Sequence, residues 1–149
     1  GVHLLDARVF MDQDLAEEGI MVQGKEEINL EHLKHGVEIA RENARLDVGQ
    51  GVVVSRGTVL AVEAFEGTNQ MLERAGKFGA KNCLFVKLAK PKQDTRFDVP
   101  VFGLQTLQAM KDAGIGNAAL VSGSVLLLEK DEILNEAKKI GIGLAGISK

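Results

Sequence analysis

The chain from Asn29 to Glu63 reads NLEHLKHGVEIARENARLDVGQGVVVSRGTVLAVE, and a change of hydrophobic period inside it decides the fold class. Leu30, Leu33, Val37, Ala40 and Ala44 recur at steps of three and four, the stripe of an amphipathic helix. Glu31, Lys34, Glu38 and Arg41 fill the opposite face, and Asn29 suits the N-cap. Beyond Leu46 the pattern becomes β-branched. Gly51–Ser55 and Thr58–Glu63 flank Arg56-Gly57, which predicts a hairpin. A helix running into a hairpin within one stretch requires a sheet with helices packed on it.

Reading onward, Thr68 is expected to cap a short helix that Gly76 closes. Cys83–Leu88 has the length and apolarity of a buried strand. Ala89–Pro100 is polar and holds both prolines of the chain, Pro91 and Pro100, so it reads as a stiff, extended loop. Leu104–Ala113 predicts a helix ending at Gly114. Ala118–Val121 and Val125–Leu128 predict a second hairpin through Ser122-Gly123. Asp131 is expected to cap a helix reaching Ile140, with Lys138 and Lys139 in its last turn and Gly141 beyond. Leu144–Ile147 reads as a last strand. Toward the start, Leu4-Leu5 and Val9-Phe10-Met11 predict short strands, and Asp12–Glu18 a loop.

Helix, hairpin, helix, strand thus occurs over 29–88 and again over 104–147. That order suggests a pseudo-duplicated arrangement. Hairpins need antiparallel pairs and strand–helix–strand units favour parallel ones. The class is therefore α/β, or α+β, with a mixed sheet.

Composition narrows the functions. The chain has 149 residues, 45% hydrophobic and 26% charged, as in an ordinary globular domain. Its apolar runs are only a few residues long, too short to cross a bilayer. A net charge of −3 argues against nucleic-acid coating, and the absence of Trp and Tyr against base-stacking platforms. Cys83 is the single cysteine, so no internal disulfide or Cys-rich zinc site can form. With three His, a metal would be held largely by oxygen, which favours Mg²⁺ or Mn²⁺. The sequence holds 17 Gly and begins at Gly1 rather than Met, the start expected of a tag scar, a cleavage or a cut chain.

Three segments gather polar residues beside predicted strand ends: Leu46–Gly51, Glu63–Asn69 and Lys87–Asp98. In the third, Lys87, Lys90, Lys92 and Arg96 accompany Asp94 and Asp98. Phosphoryl transfer needs such a mixture, with cations for the non-bridging oxygens and a carboxylate for a divalent ion or the attacking water. By residue type alone, a solvated loop of mixed charge is the commoner origin of such a cluster. In the second segment, Gly67 allows close backbone approach, and the helix start at Thr68 can receive an anion. Plain capping is again commoner. Glu63 and Glu66 are equally consistent with metal ligands and a solvated turn. Asp47 can reach a metal or a hydroxyl, although Asp47 to Gln50 around Gly49 suits an ordinary turn. His32 and His35 lack a carboxylate constellation, and Cys83 reads as a small buried hydrophobe.

Taken together, DVGQGVVV (Asp47–Val54), VLAVEAFEGTN (Val59–Asn69) and VKLAKPKQDTRFDVP (Val86–Pro100) resemble the C-terminal domain of the LpxI-type UDP-2,3-diacylglucosamine pyrophosphatases. The likeness continues more weakly through Val101-Phe102-Gly103 to Ala113-Gly114, and covers about Leu46 to Gly146. The resemblance implies hydrolysis of UDP-2,3-diacylglucosamine in lipid A synthesis. Water attacks the α-phosphorus and releases UMP and 2,3-diacylglucosamine 1-phosphate, with Mg²⁺ or Mn²⁺ required. It places the family's essential aspartate at Asp98, as metal ligand or orienter of the water; Glu63 and Asp47 are further metal candidates by residue type alone. Lys87, Lys90 and Arg96 would neutralise the pyrophosphate, and Glu66-Gly67-Thr68 would cradle a phosphate or complete the metal shell. Gln93 and Asp94 are secondary substrate contacts.

Asn69 departs from the family's usual Asp, keeping an oxygen acceptor but losing the charge. The resemblance also implies a separate N-terminal domain, absent from this sequence, with the lipid cleft between the two domains. It further implies a cytoplasmic protein that touches the inner face of the inner membrane through its lipid substrate; a homodimer is a further expectation. Two other classes stay open: a nucleotide-sugar or phospholipid binding module without turnover, and an α/β assembly domain.

Overall fold

The computed structural model describes residues 11–79, 81–94, 96 and 98–149. The strands expected at Leu4-Leu5 and Val9-Phe10 lie outside the described residues, as do Thr95 and Phe97 of the third motif. The acidic run opens with a 3₁₀ turn, Asp12–Asp14. Then follow β1 (Gly19–Val22), α1 (Leu30–Arg45), β2 (Gly51–Ser55), β3 (Thr58–Val62), α2 (Thr68–Gly76) and β4 (Cys83–Lys87). After the polar loop come β5 (Val101–Phe102), α3 (Leu104–Ala113), β6 (Asn117–Val121), β7 (Leu126–Leu127), α4 (Lys130–Ile140) and β8 (Gly143–Ile147).

Six strands form one mixed sheet in the order β1-β8-β6-β4-β2-β3. β4, β6 and β8 run parallel. β2 is antiparallel to both β3 and β4, so β3 runs with the parallel set. β1, which the sequence reading missed, adds antiparallel to β8. The α/β class with a mixed sheet is borne out.

Helices cover both faces. Gly36 lets α1 sit directly on the sheet: a Cβ there would lie 2.8 Å from Val86 Cγ2 and 3.2 Å from Val54 Cγ2. On the other face Phe85 and Met71 of α2 crowd Gly51. The crossovers from β3 to β4, β4 to β6 and β6 to β8 all step along the sheet in one direction, so with the usual right hand α2, α3 and α4 share that second face, where α3 packs against both α2 and α4. α2 and α3 touch through Gly76, where a Cβ would lie 2.7 Å from Ala113 Cα. No described helix is long and apolar enough to cross a membrane.

The local readings hold where the signal is local. Asn29 Oδ1 accepts from the backbone N–H of Glu31 and His32. The β2–β3 hairpin turns at Arg56-Gly57, and Gly114 and Gly141 end their helices in the left-handed conformation. The helical stripe holds from Leu33 to Ala44: Ala40 and Ala44 are buried, Leu33 and Val37 pack half-buried against the core, Gly36 and Asn43 widen the buried face, and Leu30 alone of the five is exposed.

The second hairpin does not form. β6 is buried along its whole length and takes parallel partners on both edges, β4 and β8, which leaves no edge for an antiparallel return. The chain leaves the sheet after Val121, and β7 pairs in parallel with β5 in a separate two-stranded sheet. The pseudo-duplicated arrangement falls with it. Two caps are also corrected. Gly67, at φ 84°, holds the N-cap of α2, and Thr68 is the first helical residue. α4 starts behind Glu129, and Asp131 lies in its first turn.

Candidate active site

Ligands of α/β sheets bind beyond the carboxyl ends of the parallel strands. The three polar segments meet at that edge. Leu46–Gly51 leads into β2, Glu63–Asn69 leaves β3, and the loop from Lys87 leaves β4. In the sheet Gly51 is directly opposite Lys87, and the Glu63 N–H donates to Gly51 O at 2.8 Å.

The glycines of the first segment are explained by Glu63. A Cβ on Gly49 would lie 2.1 Å from Glu63 O, and one on Gly51 2.6 Å from Glu63 Oε2. Only bare backbone fits this closely. Buried Asn43 of α1 donates to Glu63 O at 3.0 Å and completes the seat. The Glu63 side chain, 9% exposed, accepts from Thr68 Oγ1 at 3.1 Å. Thr68 Oγ1 in turn accepts from Lys87 Nζ at 3.1 Å. Lys87 is 5% exposed. Burial holds its ammonium pKa below the ordinary lysine range, and the charge of Glu63 opposes that fall. Thr68 is therefore the hydroxyl link in a buried Glu63–Thr68–Lys87 chain.

A second group stitches the first and third segments together. Lys90 Nζ pairs with Asp47 Oδ1 at 2.9 Å, and Asp47 holds a left-handed backbone at φ 58°. The hydrogen bond and charge of Lys90 hold the Asp47 carboxyl below its usual range, and the hydrogen bond and charge of Asp47 push the Lys90 pKa up. Gln50 Nε2 donates to Gln93 Oε1 at 2.8 Å, and Lys90 N donates to the same oxygen at 3.2 Å. Leu88 N donates to Gln50 O at 2.9 Å.

The remaining candidates are placed differently. Arg74 of α2 grips both oxygens of Glu66 and also donates to Val62 O at 3.0 Å, so it braces the β3–α2 loop. This ion pair lowers the Glu66 carboxyl pKa. Arg96 pairs with Asp94 at 2.6 Å within the exposed loop. Asp98 is exposed, its N–H bound to Asp94 O at 2.8 Å, and its charge acts on Lys90. Asn69 Oδ1 accepts from Thr106 Oγ1 of α3 at 3.0 Å. An aspartate can accept the same bond, so the departure from the family pattern falls on a helix–helix contact. Asn43 and Arg74 were not foreseen. Helical periodicity gave no hint of them, because their partners are backbone carbonyls and a loop carboxylate.

No group of three or more His, Cys, Asp or Glu able to hold a metal occurs among the described residues. Glu63 faces Thr68, and Asp47 faces Lys90. The donor set fits a hard divalent ion in one manner, with a single exposed carboxylate sharing it with phosphate oxygens and water.

Fold and site define a two-faced mixed α/β domain whose strand ends hold a buried lysine beneath a charged loop. The family model for the LpxI C-terminal domain matches residues 17–145, and the chain belongs to that family. It is 35% identical over 119 residues to the UDP-2,3-diacylglucosamine pyrophosphatase LpxI of Caulobacter vibrioides, a match covering 74% of this chain and 42% of that protein. The chain thus spans less than half the length of that relative.

Proposed function

We propose that this domain supplies the catalytic edge of an enzyme that hydrolyses UDP-2,3-diacylglucosamine in lipid A synthesis. One observation carries the reading. Three segments far apart in sequence meet at one sheet edge, with buried Lys87 below and the Asp98 loop above. The similarity to a named pyrophosphatase supports the substrate class.

In this reading water adds to the α-phosphorus and the bond from that phosphorus to the bridging oxygen breaks. UMP leaves with the new oxygen, and 2,3-diacylglucosamine 1-phosphate keeps the bridging one. Lys90 and Arg96 neutralise the phosphate oxygens, and Asp94 orients Arg96. Lys87 acts from beneath through Thr68, and Gly67-Thr68 presents backbone N–H groups of α2 to a phosphate. Asp98 orients the water, or would hold Mg²⁺ or Mn²⁺ together with phosphate oxygens and water, since Glu63 and Asp47 are taken up by Thr68 and Lys90. A bound divalent ion would add Lewis-acid stabilisation of the phosphoryl oxygens. The substrate's acyl chains imply peripheral contact with the cytoplasmic face of the inner membrane, and a second domain of the same protein completes the lipid cleft. A homodimer is a further assembly compatible with the reading.

Asp98→Asn should abolish UMP release while the melting curve stays unchanged, because Asp98 is exposed. Retained turnover overturns the assignment. In ¹⁸O water the label should appear in UMP; label in the sugar phosphate would move the attack to the other phosphorus.

A further inference from the structure

Across the sheet edge from the Glu63–Thr68–Lys87 chain, on the α1 side, lies a cleft of about 430 Å³. It sits at the ends of β4, β6 and β8, where Leu88, Val121 and Ser148 leave the sheet. Its volume is that of a small-molecule site. Lys90 and Gln93 belong both to this cleft and to the stitched group at the active edge.

Ser124 lines the cleft and is 2% exposed. Its Oγ is the one buried side-chain nitrogen or oxygen without a hydrogen-bond partner among the described residues. Native proteins rarely bury a polar group in this way, since the lost hydration is not replaced. A serine hydroxyl can donate or accept and has three staggered settings, so a ligand in the cleft can supply what the protein does not.

We propose that this cleft seats the uridine of a uridine nucleotide, with the Ser124 hydroxyl pairing with the base. The proposal rests on the pyrophosphatase reading and gives the nucleotide half of that substrate its place. The wall chemistry selects the occupant. Leu88, Ala89 and Val121 offer apolar surface to a flat ring. Gln93 Oε1 already accepts two bonds, so what its amide offers a ligand is the Nε2 donor, matched to a pyrimidine carbonyl. Arg41 and Lys90 bring positive charge toward the phosphate. An acyl chain gains nothing from those cations and amides, and a bare phosphate leaves the apolar wall unused.

The test is a titration of the isotope-labelled full chain with UMP, followed by amide NMR, beside ribose 5-phosphate and inorganic phosphate. Saturable shifts are expected at Leu88, Val121 and Ser124 with UMP alone. Ser124→Ala should weaken UMP binding about three- to tenfold, the worth of one neutral hydrogen bond. The same change should hold or raise the melting temperature, because it removes an orphaned hydroxyl. In the turnover assay it should raise KM and leave kcat in place.

Equal shifts with ribose 5-phosphate or phosphate would overturn the base assignment. Unchanged UMP affinity in Ser124→Ala, as when an ordered water is the hydroxyl's partner, would overturn the role of Ser124. UMP shifts confined to 66–69 would overturn the cleft and leave the Asp98 reading standing. Shifts at Ser124 together with full turnover by Asp98→Asn would overturn that reading and keep the cleft.

Discussion

The two sides of the active edge hold their charges in opposite ways. Beneath it, Glu63, Thr68 and Lys87 are fixed by packing: a strand buried along its length, two glycines that admit no side chain, and one shared hydroxyl. Above it, Asp94 and Arg96 pair two residues apart in an exposed loop, and Asp98 is tied through its backbone. The difference teaches where stability and reactivity reside. A buried charge needs its partner to remain folded, whereas an exposed pair contributes little to folding and can exchange its partner for a ligand.

The largest expected effect is on the buried side. Lys87→Ala takes the donor from Thr68 Oγ1 and a nearby positive charge from Glu63, and should cost about 2–3 kcal/mol of stability in urea unfolding. A loss under about 1 kcal/mol would break the comparison, since that is the range of an exposed pair.

Next comes a pH effect. The Lys87 pKa is lowered in the folded chain, so below the ordinary value of 10.5 the unfolded chain binds more protons than the native one. Stability attributable to this group should therefore rise as pH climbs from the folded value toward 10.5, and be flat at lower pH. Subtracting the pH profile of Lys87→Met from that of the parent should isolate this rise; a difference flat across the window would sink it.

The smallest effect belongs to the loop. Arg96→Ala should leave the melting temperature within about a degree, as for other exposed pairs. If the loop is the reactive side, UMP release should nevertheless fall. A fall of several degrees would show the Asp94–Arg96 pair to be structural, which would erase the contrast.

The same contrast explains what was legible in the sequence. α1, the β2–β3 hairpin, α3 and the glycine stops depend on neighbours within a few residues, and all were readable. The second hairpin was misread because the identity of β6 lies in its partners, β4 and β8, which local pattern does not reveal. The three site segments were visible as polar punctuation at strand ends. Their connections were not, because Arg74 to Glu66, Lys90 to Asp47 and Asn43 to Glu63 are tertiary facts. Ser124 sat in a Ser-Gly-Ser turn with nothing in its neighbours to mark it.

The double parallel pairing of β6 also has a consequence in time. Among the described strands, only β2 and β3 meet through a short turn. β4 must wait for β6 across the polar loop and α3, and β6 for β8 across α4. Such distant closures are slow, because chain entropy is lost before contacts reward it. Lys87, Val121 and Ser148 stand at the far ends of those late pairings. A chain still emerging from synthesis can own its hairpin early, but it acquires the cleft beside Ser124 only when β8 has docked.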